Sequence, residues 1–416
     1  MFTKEEIYKD IQKIMKEDYA GYIDSQHLNQ PDRYTITNDM SDQEFEETIE
    51  DYLLDFNDGH LWFGARNTEI PYIGFSVRRY KDALYVTSSP EEKRLMKGDK
   101  IKLIDGISIP ELAITYAKRL EDKVLERQRW TSVLSKATTL QVERDHKLFV
   151  VTLASYDRPP RVPEYSFKQI EPNTAYIKLT DFAQEAPIQK IIQDNQEALK
   201  TSENLVIDVR VNHGGNDFFY FSLLDYIFDD NVAFSTLFAE DENMLTNYTE
   251  RNYQLWLPEL KAYLMQELDD DTRDMVEDEI ELFEQNRNKG LVDVPEDSDF
   301  IIEGRSTPAN VYVLSDYSCA SSGDTFVSNA KKSPKVTVVG RATMGIIDYM
   351  NVVTVDYGDY EFVYSISKMN QKYATNGIGI APDIYIPWTP EHLTEDKDLA
   401  YVLELIKNKN KEVDED

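Results

Sequence analysis

The chain has 416 residues, with 45 Lys and Arg against 77 Asp and Glu, and so a net charge of −32. That field repels phosphate backbones and anionic lipid surfaces, which excludes nucleic-acid binding and attachment to anionic membranes as functions; the 41% hydrophobic content, rich in Tyr and Phe, excludes wholesale disorder. A single cysteine, Cys319, excludes an intrachain disulfide and a cysteine-based zinc site and fits a reducing compartment.

Two amphipathic helices are predicted first, over 5–22 and 41–54. Apolar residues recur three and four apart in both: Ile7, Ile11, Ile14 and Met15, then Phe45, Ile49 and Leu53. Ser41 and Glu44 form the capping box that starts the second. The opening alternates charge with apolar residues and lacks the apolar core of a signal peptide. Nowhere do about 18 apolar residues run without a charge, so no membrane span is expected and the expected location is cytoplasmic. This helical N-terminal region, 1–65, carries Asp58, Gly59 and His60 near its end.

Alternating β-branched and aromatic residues from Ile73 onward predict paired strands, then a strand between the glycine turns at Gly98 and Gly106. Two more strands follow around a turn at Asp145, giving a β-rich domain over 66–156. The Pro-rich run 157–163 reads as a linker. Beyond it, in 164–416, short apolar runs (TAYIKL, NLVIDV, VYVLS, VTVVG) alternate with helical patterns, which predicts an α/β core around a buried, mainly parallel sheet. An acidic helical insertion at about 240–288 reads as a solvated face.

Three segments could carry chemistry. Ser318 to Asp324 place a serine cluster where a strand ends and a helix begins, where unpaired N–H groups can hold a developing oxyanion; Ser-Ser-Gly is equally the pattern of an ordinary helix cap. Asn212, His213, Gly214 and Gly215 end a buried strand, and paired glycines let a backbone approach a ligand closely, as they also serve a plain tight turn. His60 follows a turn-forming Asp-Gly, and the other four histidines show no zinc spacing. No metal and no cofactor are expected.

Taken in order, the motifs over 58–60, 98–106, 207–215, 318–324, 338–345 and 379–384 resemble the carboxy-terminal processing (tail-specific) serine peptidases, within the branch of the tricorn core and the interphotoreceptor retinoid-binding protein. The resemblance runs from about 58 to 386. It implies a crotonase-like α/β core with an inserted PDZ-like β-rich domain. By motif position it implies Ser321 as nucleophile, His60 as general base, and the N–H groups of Ser322 and Gly214 as oxyanion donors. Two positions depart from the family pattern. Ile346 stands where the bacterial processing enzymes place a lysine base, and Asn376 stands nearest to the position of an acid that orients the histidine, with Asp348 as the other candidate orienting acid. Cys319 reads as a small buried residue and Arg210 as the partner of a core acid.

The expected function is hydrolysis of peptides or protein tails through an acyl-enzyme, the substrate held by its C-terminus in the PDZ-like module. The net charge of −32 favours basic or neutral substrates. An oligomer is compatible with the sequence. The rivals are a catalytically degenerate peptide- or apolar-ligand-binding protein of the same fold, and an adaptor that recruits partners through the acidic insertion.

Overall fold

A computed structural model of the chain describes residues 2–66, 72–120, 123–239, 242–293, 300–370 and 374–415. Two compact units result, one of Met1–Asn67 with Pro163–Tyr385 and one of Thr68–Val162 with Ile386–Asp416.

The first unit is built on a six-stranded sheet in the order Ile384–Tyr385, Val336–Gly340, Asn310–Ser315, Asn204–Asp208, Thr174–Leu179, Tyr165–Glu171. All neighbours are parallel except the last pair, a hairpin. Asn204–Asp208 is buried at every position, as a central strand covered on both faces must be. The helices Glu185–Asp194, Phe221–Ile227 and Ser322–Ala330 connect the strands and supply Ile188, Leu224 and Phe326 to the core around Ile177, Ile207 and Val313. Ligand sites of such sheets lie beyond the C-terminal ends of the strands. Here those ends, on the adjacent strands Asn204–Asp208 and Asn310–Ser315, lead directly into Asn212–Gly215 and the serine cluster.

A second sheet in the same unit centres on the long strand Tyr360–Asn370. Tyr349–Asp356 pairs along one edge, while Trp62–Ala65 and Asn243–Tyr248 share the other. The N-terminal helices Lys4–Glu17 and Asp42–Leu53 bury Ile11, Ile14, Phe45 and Ile49 against it, each started by a capping box (Thr3 with Glu6, Ser41 with Glu44). His60 lies in the turn between the second helix and the strand Trp62–Ala65.

The acidic insertion differs from its expected form. Residues 240 and 241 lie outside the described residues. Asn243–Tyr248 is a sheet strand, and the helices Glu250–Tyr263 and Asp270–Asn286 bury Trp256, Leu260, Val276 and Phe283 in the same core as the N-terminal helices. Its acidic residues occupy the outer face of an amphipathic pair, so charge density concealed a core-forming stripe. Phe283, at 1% exposure with its ring 4.7 Å from that of Tyr248 and tilted 60° to it, should cost about 3–5 kcal/mol when replaced by Ala, read as a lower urea midpoint. An unchanged midpoint would restore the solvated reading.

The second unit is an antiparallel sheet in the order Ser76–Tyr80, Ala83–Ser88, Lys100–Ile104, Thr139–Arg144, Lys147–Thr152, around a core that includes Ile101, Trp130, Leu140 and Val142. Its turns use positive φ at Asp105 and Gly106 and at Asp145 and His146, the geometry that suits tight hairpins. Residues 386–416, with the helix Lys397–Glu415, group with this sheet rather than with the α/β core. The Trp388 N–H donates to the Glu126 carboxylate at 2.7 Å, and the Arg78 guanidinium lies 5.3 Å over the Trp388 ring.

Candidate active site

Ser321 stands between the strand Asn310–Ser315 and the helix Ser322–Ala330 with φ 55° and ψ −124°. For a residue with a Cβ this conformation costs on the order of 1–3 kcal/mol, and it persists only where the surroundings enforce it. Those surroundings are visible. The Ser321 N–H donates to Asp324 Oδ2 at 2.8 Å, the Ala320 N–H to the Asn212 carbonyl at 2.8 Å, and the Met344 N–H to the Cys319 carbonyl at 2.7 Å.

Asp324 is fully buried. Besides Ser321 it accepts the Gly345 N–H at 2.8 Å and the Ile346 N–H at 3.3 Å. Burial pushes its carboxyl up, opposed by hydrogen bonds from Thr343, Gly345, Ile346 and Ser321. One carboxylate thus ties the serine turn to the loop 343–346. Cys319 is buried, which pushes its thiol well up, with Asp324, Asp316 and Asp208 adding to the effect; it is a packing residue against Gly323.

The glycine turn meets the serine turn at van der Waals distance. A Cβ on Gly214 would stand 2.7 Å from Ser321 Cβ and 3.1 Å from the Ser322 nitrogen, so only glycine admits this approach. Asn212, wholly buried, holds the turn: its Nδ2 donates to the Leu179 carbonyl at 3.1 Å and its Oδ1 accepts the Gly214 N–H at 2.9 Å. The Gly214 N–H therefore already has an acceptor. Ser322 Oγ donates to the Gly215 carbonyl at 2.8 Å, closing the two turns on each other. Arg210 pairs with Asp208 through its Nε at 3.0 Å and a terminal nitrogen at 2.7 Å, and Tyr176 also donates to that carboxylate.

His60 belongs to the same corner. The Ile346 side chain lies where a Cβ on Gly59 would come within 2.5 Å of its Cγ2, so the residue in the family's lysine position packs beside the histidine turn. Asn376 reaches this turn as well, but through its backbone: its Nδ2 donates to the Asn57 carbonyl at 3.3 Å and its Oδ1 accepts the Asp348 N–H at 3.2 Å. Both ends of the carboxamide are thus engaged with main chain. Asp348 in turn accepts the N–H groups of Thr375, at 2.8 Å and 3.0 Å, and of Asn376, at 3.0 Å, which shapes the turn at 375–379. The structure brings Asn376 to the loop that carries His60, and commits Asp348 to the turn that carries Asn376. Replacing Asn376 by Asp sets an acceptor against the Asn57 carbonyl, so Asn376→Asp should lower hydrolysis about 3- to 10-fold. A steady-state rate above wild type would return Asn376 to the imidazole.

Sequence reasoning missed Asp58. Its side chain is wholly buried, its Oδ1 accepts the His60 N–H at 2.9 Å and stands 3.8 Å from His60 Nδ1, and its Oδ2 accepts the hydroxyls of Tyr19 at 3.1 Å and Ser365 at 3.3 Å. The signal was present as the Asp of Asp-Gly-His, read only as a turn former.

Among solved structures the chain is similar to mature CPAF, with a TM-score of 0.70 and 14% identity over 98% of each chain. It is equally similar to mature CPAF complexed with lactacystin, at TM-score 0.70 and 14% identity over 100% of this chain and 99% of that one. At that identity the likeness establishes a shared fold, an α/β core with an inserted β-rich domain. No curated protein sequence matches the chain. Residues 173–386, just over half of the chain, match the model of peptidase family S41. The chain belongs to peptidase family S41, and is accordingly a serine peptidase whose substrates are peptides or proteins. Among the described residues no helix is long and apolar enough to cross a membrane.

Proposed function

We propose that this peptidase cleaves peptides or protein tails through an acyl-enzyme formed on Ser321, with His60 as general base. The observation that carries the reading is the strained Ser321 at the C-terminal edge of the parallel sheet, in contact with a glycine turn and at the N-terminus of a helix. Such a position presents a hydroxyl to a carbonyl carbon while N–H groups face the oxygen. In the reaction His60 takes the Ser321 proton as Oγ attacks, and the tetrahedral oxyanion forms. Return of that proton to the leaving amine yields the acyl-enzyme, which water then hydrolyses.

The Ser322 N–H is one oxyanion donor. For the second, the glycine turn offers Gly214 or Gly215, and the bond from the Gly214 N–H to Asn212 favours Gly215. Asn376 acts by holding the loop at Asn57. We read the core as crotonase-like and the β-rich unit as PDZ-like, its sheet edge receiving an extended peptide by strand addition. The net charge of −32 favours basic or neutral tails, and a single buried cysteine fits cytoplasmic residence.

The rival is a degenerate binding protein of the same fold, favoured by the commitment of Asn376 and Asp348 to backbone groups and of the Gly214 N–H to the Asn212 side chain. Fluorophosphonate labelling of the purified protein, mapped by mass spectrometry with Ser321→Ala as control, separates the two. An adduct on Ser321 alone is the expected result; folded protein without adduct transfers the site to the binding reading.

A further inference from the structure

We propose that Asp58 is the positioning residue of this site, holding the His60 imidazole through Nδ1 so that Nε2 is left to take the serine proton. The inference rests on the assignment of His60 as base and deepens it. His60 Nδ1 is buried and has no hydrogen-bond partner, and the nearest carboxylate oxygen is Asp58 Oδ1 at 3.8 Å. That separation is too long for a hydrogen bond. It is short enough for strong attraction between a carboxylate and an imidazolium, and catalytic hydrogen bonds commonly tighten when substrate binds.

The carboxylate is itself fixed, as a positioning group must be. Its own backbone turn supplies the His60 N–H, Tyr19 supplies a hydroxyl from the N-terminal segment, and Ser365 supplies one from the strand Tyr360–Asn370. Burial pushes the Asp58 carboxyl up, and the neighbouring His60 is the largest opposing influence, followed by these hydrogen bonds. The other titratable groups around the pair are Tyr349, whose ring lies 5.4 Å from that of Tyr19, and the carboxylates of Asp24 and Asp348. Both tyrosines are raised by burial and stay neutral, and Asp24 is paired with Lys368. Asp58 is therefore the anion through which an imidazolium forming at His60 is stabilised.

Removal of the carboxylate takes away the anion that faces Nδ1 and would stabilise an imidazolium formed during the reaction. Asp58→Asn can keep the His60 N–H bond through Oδ1 and donate from Nδ2 to the hydroxyl oxygens of Tyr19 and Ser365, so it removes the charge at little change of shape. Two measurements test the proposal. In 15N spectra of wild-type protein, with His60→Ala to assign the signal, neutral His60 should carry its proton on Nδ1; a proton on Nε2 overturns the proposal, with no turnover required. In steady-state kinetics, Asp58→Asn should lose about 10- to 1,000-fold in kcat with KM within about threefold of wild type, because the lost interaction is made with a charge that forms only in the transition state. An unchanged kcat, or a loss confined to KM, assigns Asp58 a purely structural role and overturns the proposal. Failure of Ser321 to label would defeat the peptidase mechanism instead, leaving the tautomer to decide on Asp58.

Discussion

Ser321→Ala is expected to lower kcat/KM by about 10³- to 10⁶-fold, His60→Ala by a comparable factor, and the double variant by no more than either single one. A serine hydroxyl is a poor nucleophile at neutral pH until a base removes its proton, so neither partner retains much value without the other. What remains after either change is the contribution of the oxyanion donors and of substrate binding. Steady-state kinetics on one peptide substrate, with circular dichroism to show that all variants fold, would measure this. Near-normal turnover in His60→Ala would remove His60 from the mechanism, and additive losses would show two independent contributions rather than a pair.

Asp324→Ala is expected to produce the second-largest effect, on stability and activity together. Three backbone N–H groups, of Ser321, Gly345 and Ile346, converge on this one buried carboxylate. Each buried donor left without an acceptor costs about 1–3 kcal/mol, so with three of them the variant should lose roughly 3–9 kcal/mol. Activity should fall further than stability implies, because the Ser321 N–H bond is what holds that residue at φ 55°. Asp324→Asn keeps one acceptor oxygen and turns an NH₂ towards the remaining donors, so it should lie between wild type and Ala. Denaturant unfolding and fluorophosphonate labelling of the same samples test both halves. A variant that unfolds like wild type and still labels at Ser321 would reduce Asp324 to a helix cap.

Much of the fold was legible because burial on both faces writes itself into composition. The run NLVIDV could only be a central strand, and the alternation from Ile73 to Ser88 could only be half-covered strands. The acidic segment was misread for a reason of the same kind. Asp and Glu dominate its count, whereas Trp256, Leu260, Val276 and Phe283 are few and widely spaced, and their burial shows only once the N-terminal helices lie beside them.

In the site, residue types and order were determined by the sequence itself. Paired glycines at 214 and 215, a small residue at 323 and an acid at 324 are demanded by local geometry, and local geometry is what a short motif encodes. Partners of polar side chains are a different matter. Asn376, Asp348 and Asp58 are all short, polar and near turns, and nothing in their neighbours along the chain distinguishes them. The tertiary structure separated them: it surrounded Asp58 with Tyr19, Ser365 and His60, and gave Asn376 and Asp348 to backbone groups. A hydrogen bond is decided by what the fold brings within about 3 Å, and those atoms come from strands and helices some three hundred residues apart.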